Sequence, residues 1–262
     1  MLSLSSPAGN RGAFLLIIRE FQKSAVVWPR RAQPEAKHDC GFCGNFKNWN
    51  GRFCRTNPTL NFHLDNSDGF LNPENMDFTY VMDHIVKELD HAKIKYALIG
   101  GFAIALRGIQ RATVDLDFIL MLEDLDRADA VFTDAGYKCA FRSENVSHYI
   151  SNDQALGRID ILHAFRGPSL SMLGRAERIA VTPNTSIPVV EVEDLIGLKI
   201  QAACNDPQRT LSDWSDIQLL VQASAKSSRP IDWELISDYL ELFDQSDKLS
   251  SIKDWYGTAH GQ

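Results

Sequence analysis

Tyr96-Ala97-Leu98-Ile99-Gly100-Gly101 and Asp115-Leu116-Asp117-Phe118-Ile119-Leu120-Met121, separated by the thirteen residues 102–114, are the stretch that decides the fold. The first four residues are apolar and few, as in a short buried strand, and the glycine pair breaks them. Phe102 to Arg107 then reads as a short helix that starts at the turn. Without Cβ atoms the backbone at Gly100 and Gly101 can turn sharply, and the N–H groups at a helix start can face a phosphate. Val114 to Met121 reads as a second strand. Side chains alternate along a strand, so Asp115 and Asp117 share one face while Leu116, Phe118 and Leu120 anchor the other. Two carboxylates this close repel each other, and a cation beside them relieves the repulsion. Hard oxygen ligands at this spacing suit Mg²⁺ or Mn²⁺. Either feature alone has an ordinary explanation: a solvated strand end for the acids, a tight turn for the glycines.

Outward from this stretch the pattern is α/β. Phe78, Val81, Met82, Ile85, Val86 and Leu89 recur at helical spacing, so residues 77–93 read as an amphipathic helix. Asp124 to Ala135 reads as another, with Asp124 as its N-cap and Gly136 at its C-terminal end. Strands are expected over 138–142, 147–150, 158–162 and 187–190, and helices over 193–204, 211–223 and 233–243. The expected architecture is a mixed sheet with flanking helices and a helical C-terminal segment. The division is a poorly structured extension over 1–75, a core over 76–190, a helical segment over 191–245 and a tail over 246–262. Residues 1–75 show no sustained helical or strand period and are rich in Asn, Gly, Pro and Ser. Met76 opens the regular region and reads as an alternative start, so the extension is expected to be dispensable for chemistry.

The chain has 262 residues, of which 44% are hydrophobic and 23% charged, enough apolar content for a packed core. No apolar run approaches the length of a membrane span, and the early stretch Ala13 to Ile18 is short for a signal-peptide core. A cytoplasmic location is expected. Residues 1–75 carry a net +3 and residues 76–262 a net −10. So acidic a body lacks the basic stripe of a general nucleic-acid binder. It suits a carboxylate site neutralised by metal. Five cysteines with no secretion signal argue against a disulfide framework. Cys40, Cys43 and Cys54, with His38 or His63, could hold Zn²⁺, but no second Cys-x-x-Cys supports that reading.

Taken together, the glycine pair, the spacer of about a dozen residues and the Asp-x-Asp pair resemble the signature of the DNA polymerase β-like nucleotidyltransferase superfamily. The resemblance implies a nucleotidyltransferase-like fold. It also implies that Gly100 and Gly101 contact a triphosphate, that Asp115 and Asp117 bind metal, and that a third aspartate lies on a later strand. Asp160, in Arg158-Ile159-Asp160-Ile161-Leu162, fits that third position, and Asp153 is a rival in a turn-like run. Arg111-x-Thr113-x-Asp115-x-Asp117-Phe118 is similar to the AbiEii/AbiGii toxin branch, which also carries a later helix with Lys and then an Asp-x-x-Asp pair. Lys199 and Asp213-x-x-Asp216 match these over roughly residues 95–221. This chain has Gly101 where many of that branch have Ser, and Ser212 where a Lys commonly precedes the pair.

The expected reaction is attack of an acceptor hydroxyl on the α-phosphate of a nucleoside triphosphate, with Asp115, Asp117 and Asp160 as metal ligands. Arg111, Lys199, Asp213 and Asp216 join Gly100 and Gly101 as candidate nucleotide contacts. Lys199 could reach phosphate as a point charge. Asp213 and Asp216 share a helix face, and Asp213 could instead pair with Arg209. The acceptor is RNA if the toxin resemblance holds, with a cognate antitoxin as partner. A small molecule, a protein tyrosine and a non-catalytic binding role are the alternatives.

Overall fold

A computed structural model of the chain describes residues 78–109, 113, 115–182, 185–227 and 229–260. The cysteine cluster Cys40, Cys43 and Cys54, the extension over 1–75 and Arg111 lie outside the described residues.

The first element is α1 (Phe78–His91), whose Val81, Met82, Ile85, Val86 and Leu89 form a buried stripe. Then come β1 (Tyr96–Ile99), α2 (Gly100–Leu106) and β2 (Asp115–Met121). After a 3₁₀ turn, α3 (Leu125–Asp134) leads into β3 (Tyr137–Arg142), β4 (Val146–Ser151) and β5 (Arg158–Ala164). Next are α4 (Gly167–Arg175), β6 (Glu177–Thr182) and β7 (Thr185–Val189). Four helices close the chain: α5 (Val192–Asn205), α6 (Thr210–Lys226), α7 (Trp233–Leu242) and α8 (Leu249–His260). The strands form one mixed sheet in the order β3-β4-β5-β2-β1-β7-β6. This is the expected architecture.

Two central strands set the register that matters. β1 runs antiparallel to β2 with Ile99 opposite Asp117, and β2 runs parallel to β5 with Asp115 opposite Arg158 and Asp117 opposite Asp160. Leu116 and Phe118 are fully buried on the far face of β2. Burying side chains of this size is worth roughly 1.5–3 kcal/mol each, which fixes which face the acids occupy.

Some elements differ from the expectation. α2 begins at Gly100 itself. Asp124 stands at the N-cap position of α3 but makes no cap bond. Its carboxylate accepts instead from the Lys95 N–H at 2.7 Å and pairs with Arg127. Gly136 ends α3 at φ +89°, a conformation that favours glycine, and its N–H donates to the Thr133 carbonyl. α4 and β6 carry no clear period: α4 is short and opens on Gly167-Pro168-Ser169, and β6 is a mostly exposed edge strand. Ser169 secures the start of α4 by accepting from the Arg166 N–H at 3.3 Å.

Residues 246–262 read as a tail from sequence, yet α8 occupies 249–260 and buries Ile252 completely. One hydrophobic cluster runs from Val81 to Ile252, so the C-terminal helices share the core of the sheet. α5 packs on α2, α6 and α7, and α6 packs on α8. No helix among the described residues is long and apolar enough to cross a membrane.

Candidate active site

The register places four charged residues as a square on one face of the sheet. Asp115 and Asp117 stand two apart on β2, and Arg158 and Asp160 stand beside them on β5. His148 on β4 lies opposite Asp160 and extends the row by one strand. The sheet therefore brings Asp115, Asp117 and Asp160 together. Asp153 stays apart in a turn, where its carboxylate accepts from the Ala155 N–H at 2.9 Å.

Each acid has a different environment. Asp160 is buried and both its oxygens are engaged, one with His148 Nδ1 at 2.7 Å and the other with Arg158 Nη2 at 2.7 Å. Arg158 Nη2 also donates to Asp115 at 3.1 Å. Burial pushes the Asp117 carboxyl up to about 7, and the charges of Asp160 and Asp115 push the same way, against the weaker pull of Lys199 and Arg158. The repulsion within the acid cluster thus falls on Asp117.

Gly100 touches that carboxylate. It sits at φ +69°, and a Cβ added there would lie 2.0 Å from Asp117 Oδ2, so no other residue fits. The glycine turn and the acid pair are thus in direct contact. Gly101 has a different reason to lack a side chain. A Cβ there would lie 2.9 Å from both Cβ and Oγ1 of Thr113. Thr113 already fills the volume that a side chain at position 101 would need, and it carries a hydroxyl. Gly101→Ser should cost roughly 1–3 kcal/mol by overpacking, and adding Thr113→Ala should restore most of it. Thermal melts of the single and double variants check this. A single variant as stable as the parent would show that Thr113 yields freely.

Lys199 on α5 is buried, and its Nζ hydrogen-bonds Asp213 at 2.8 Å and forms an ion pair with Asp216 at 2.7 Å, both on α6. Arg209 reaches Asp213 at 3.4 Å, the i,i+4 pair seen as an alternative in the sequence. Asp213 Oδ2 is buried without a hydrogen-bond partner. The three residues expected as nucleotide contacts thus hold one another, and Lys199 acts on Asp117 through its charge. Sequence reasoning missed Arg158 and His148. Arg158 was legible, since it stands two residues before Asp160 on the same strand face. His148 was not, because only strand register brings it to Asp160.

Among the described residues, no set of three or more His, Cys, Asp or Glu side chains already closes around a point that an ion would fill. Arg158 draws Asp115 and Asp160 toward itself instead. The donor chemistry nonetheless fits a hard divalent cation: three carboxylates share one face, and one of them is held at high proton affinity by burial and by the other two. A separate hollow of about 500 Å³ is lined by Arg175, Glu191, Glu193, Arg229, Asp232 and Leu235. Its charges are spent internally, with Arg229 on Glu191, Arg175 on Asp194 and Glu193 accepting from the Asp232 N–H. It touches none of the square.

No protein-family model matches the chain. No curated protein matches it either. Among solved structures, the chain is similar to a protein from Thermotoga maritima assigned as a nucleotidyltransferase, at 16% identity and a TM-score of 0.42, over 55% of this chain and 97% of that one. It is also similar to an antigenic nucleotidyltransferase-like protein from Paracoccidioides brasiliensis, at 18% identity and a TM-score of 0.43, over 67% and 91%. A third is the lincosamide antibiotic adenylyltransferase LnuA in its lincomycin-bound form, at 17% identity and a TM-score of 0.38, over 47% and 85%. These likenesses are partial, and the functional reading rests on the residues of the square.

Proposed function

We propose that the protein is a metal-dependent nucleotidyltransferase that moves a nucleoside monophosphate from a nucleoside triphosphate to an acceptor hydroxyl and releases pyrophosphate. The observation that carries this is the contact between the Gly100 turn and the Asp117 carboxylate, with Asp117 in register beside Asp160. A phosphate-binding turn and a carboxylate cluster in direct contact are what joint binding of a triphosphate and its cation requires.

Asp115 and Asp117, with Asp160, would hold Mg²⁺ or Mn²⁺, which when bound supplies Lewis acidity and neutralises phosphate charge. The backbone at Gly100 and Gly101 orients the triphosphate, and Arg111 adds a positive charge. Asp160, which His148 Nδ1 meets at 2.7 Å, would take the acceptor's proton. Lys199 lowers the charge that Asp117 feels, while Asp213 and Asp216 keep the amine in place. Catalysis is then chiefly positioning and charge stabilisation.

The toxin-like pattern from Arg111 to Phe118 supports RNA as acceptor and an antitoxin as partner. The net −10 of residues 76–262 means that local contacts must hold such an acceptor. The test is transfer of label from α-labelled triphosphates to total tRNA, aminoglycosides and co-expressed protein in turn. Label should move from the α but not the γ position, with pyrophosphate released. Absence of transfer to every acceptor, together with no calorimetric binding of Mg²⁺–ATP, would leave a binding module of the same fold.

A further inference from the structure

Three carboxylates on one sheet face need positive charge in the absence of metal, and among the described residues Lys199 and Arg158 supply it. Lys199 is committed: its buried amine is ion-paired with both Asp213 and Asp216. Arg158 is placed differently. One of its nitrogens spans Asp115 Oδ2 at 3.1 Å and Asp160 Oδ2 at 2.7 Å. Its side chain is 35% exposed, so it stands at the solvent edge of the acid cluster. Its Nε is buried and makes no hydrogen bond. An arginine kept purely for structure usually offers its fork to one carboxylate in two parallel bonds. Here a single nitrogen is shared between two carboxylates and another donor is left unsatisfied, which is costly for a buried group. The guanidinium therefore lies where the acids need charge rather than where its own hydrogen bonds are best met.

Resting on the reading of Asp115, Asp117 and Asp160 as a cation site, we infer that Arg158 is a built-in counter-ion. It occupies the acid cluster of the metal-free protein and competes with the divalent cation for Asp115 and Asp160. It lets three neighbouring carboxylates coexist before metal arrives, and it lowers their affinity for a bare ion. A divalent cation carries twice the charge in a smaller volume, so it displaces the arginine once bound triphosphate supplies further oxygen ligands.

The experiment titrates the full chain with Mn²⁺ alone, following the free-ion electron paramagnetic resonance signal, alongside melting temperatures with and without Mn²⁺. Arg158→Met should bind Mn²⁺ about tenfold more tightly than the parent, through loss of a competing positive charge. Its metal-free form should melt lower, and its Mn²⁺-induced rise should be larger. Arg158→Lys should fall between, because one ammonium on a shorter reach spans the two acids poorly. Adding Asp117→Asn to Arg158→Met should erase the gain, which locates it in the square. Equal Mn²⁺ affinity in the parent and Arg158→Met would overturn the inference and leave the cation site standing. Failure of both to bind Mn²⁺, with or without ATP, would overturn the cation site and the inference together. If Arg158→Met does not fold, Arg158→Lys carries the measurement, and an affinity equal to the parent's overturns the inference.

Discussion

Asp117→Asn is expected to lower nucleotidyl transfer by roughly 10³-fold or more, the loss typical when a group stabilising transition-state charge is removed, while making the metal-free protein more stable above neutral pH. Both effects have one source. The Asp117 carboxyl is pushed up to about 7 by burial and by Asp160 and Asp115. Its affinity for a proton is then higher in the folded chain than in the unfolded one. The sign follows: between about pH 4 and pH 7 the folded state holds a proton that the unfolded state has released, so stability falls as pH rises through that window and levels off above it. A tenfold difference in proton affinity is worth about 1.4 kcal/mol, so the penalty above pH 7 reaches a few kcal/mol at most. Asparagine carries no charge and escapes it. Mg²⁺ should offset the same penalty in the parent by mass action, by roughly 2.7 kcal/mol at a hundredfold excess over its dissociation constant, and do little for the variant.

Denaturant melts from pH 4 to 8, with and without Mg²⁺ and beside a transfer assay, measure all of this. Parental turnover in the variant, or a pH profile that the substitution leaves unchanged, would remove Asp117 from the site. Asp160→Asn should behave otherwise, since the neutral amide forfeits charge-assisted bonds from both His148 and Arg158.

Lys199→Met should cost about 3–5 kcal/mol, the loss seen when one partner of a buried ion pair is removed and the other charge is left behind. Two carboxylates depend on this amine, Asp213 and Asp216, and Asp213 is 1% exposed with one oxygen already lacking a partner. The denaturant midpoint should fall without a change in slope, marking lost stability rather than an altered unfolded state. The deficit should shrink as pH is lowered, because protonated carboxyls need no cation. Replacing all three residues by apolar ones of similar volume should recover most of the loss. Transfer activity should drop as well, since Asp117 loses a positive charge that favours its ionised form. A loss under about 1 kcal/mol would mean that the two acids relax into water and that the buried pairing contributes little.

The sequence by itself determined the local elements and which residue types the candidate site would hold. Strand alternation placed Asp115 and Asp117 on one face, the apolar stripe of 77–93 predicted α1, and the glycine pair marked the turn, because each signal depends on neighbours along the chain. Gly136 as a helix end belongs to the same class. Only the tertiary structure decided what depends on register between distant segments. The pairing of β2 with β5 set Asp117 beside Asp160 and Arg158 beside Asp115, and the pairing of β4 with β5 brought in His148. Packing of α5 on α6 turned Lys199, Asp213 and Asp216 into one buried cluster. The Thr113 side chain explained Gly101 across a turn. α4, β6 and α8 escaped periodicity because short or mostly exposed elements need few apolar residues of their own. Their places come from the larger core they pack against, whose burial is shared among segments that the chain order keeps apart.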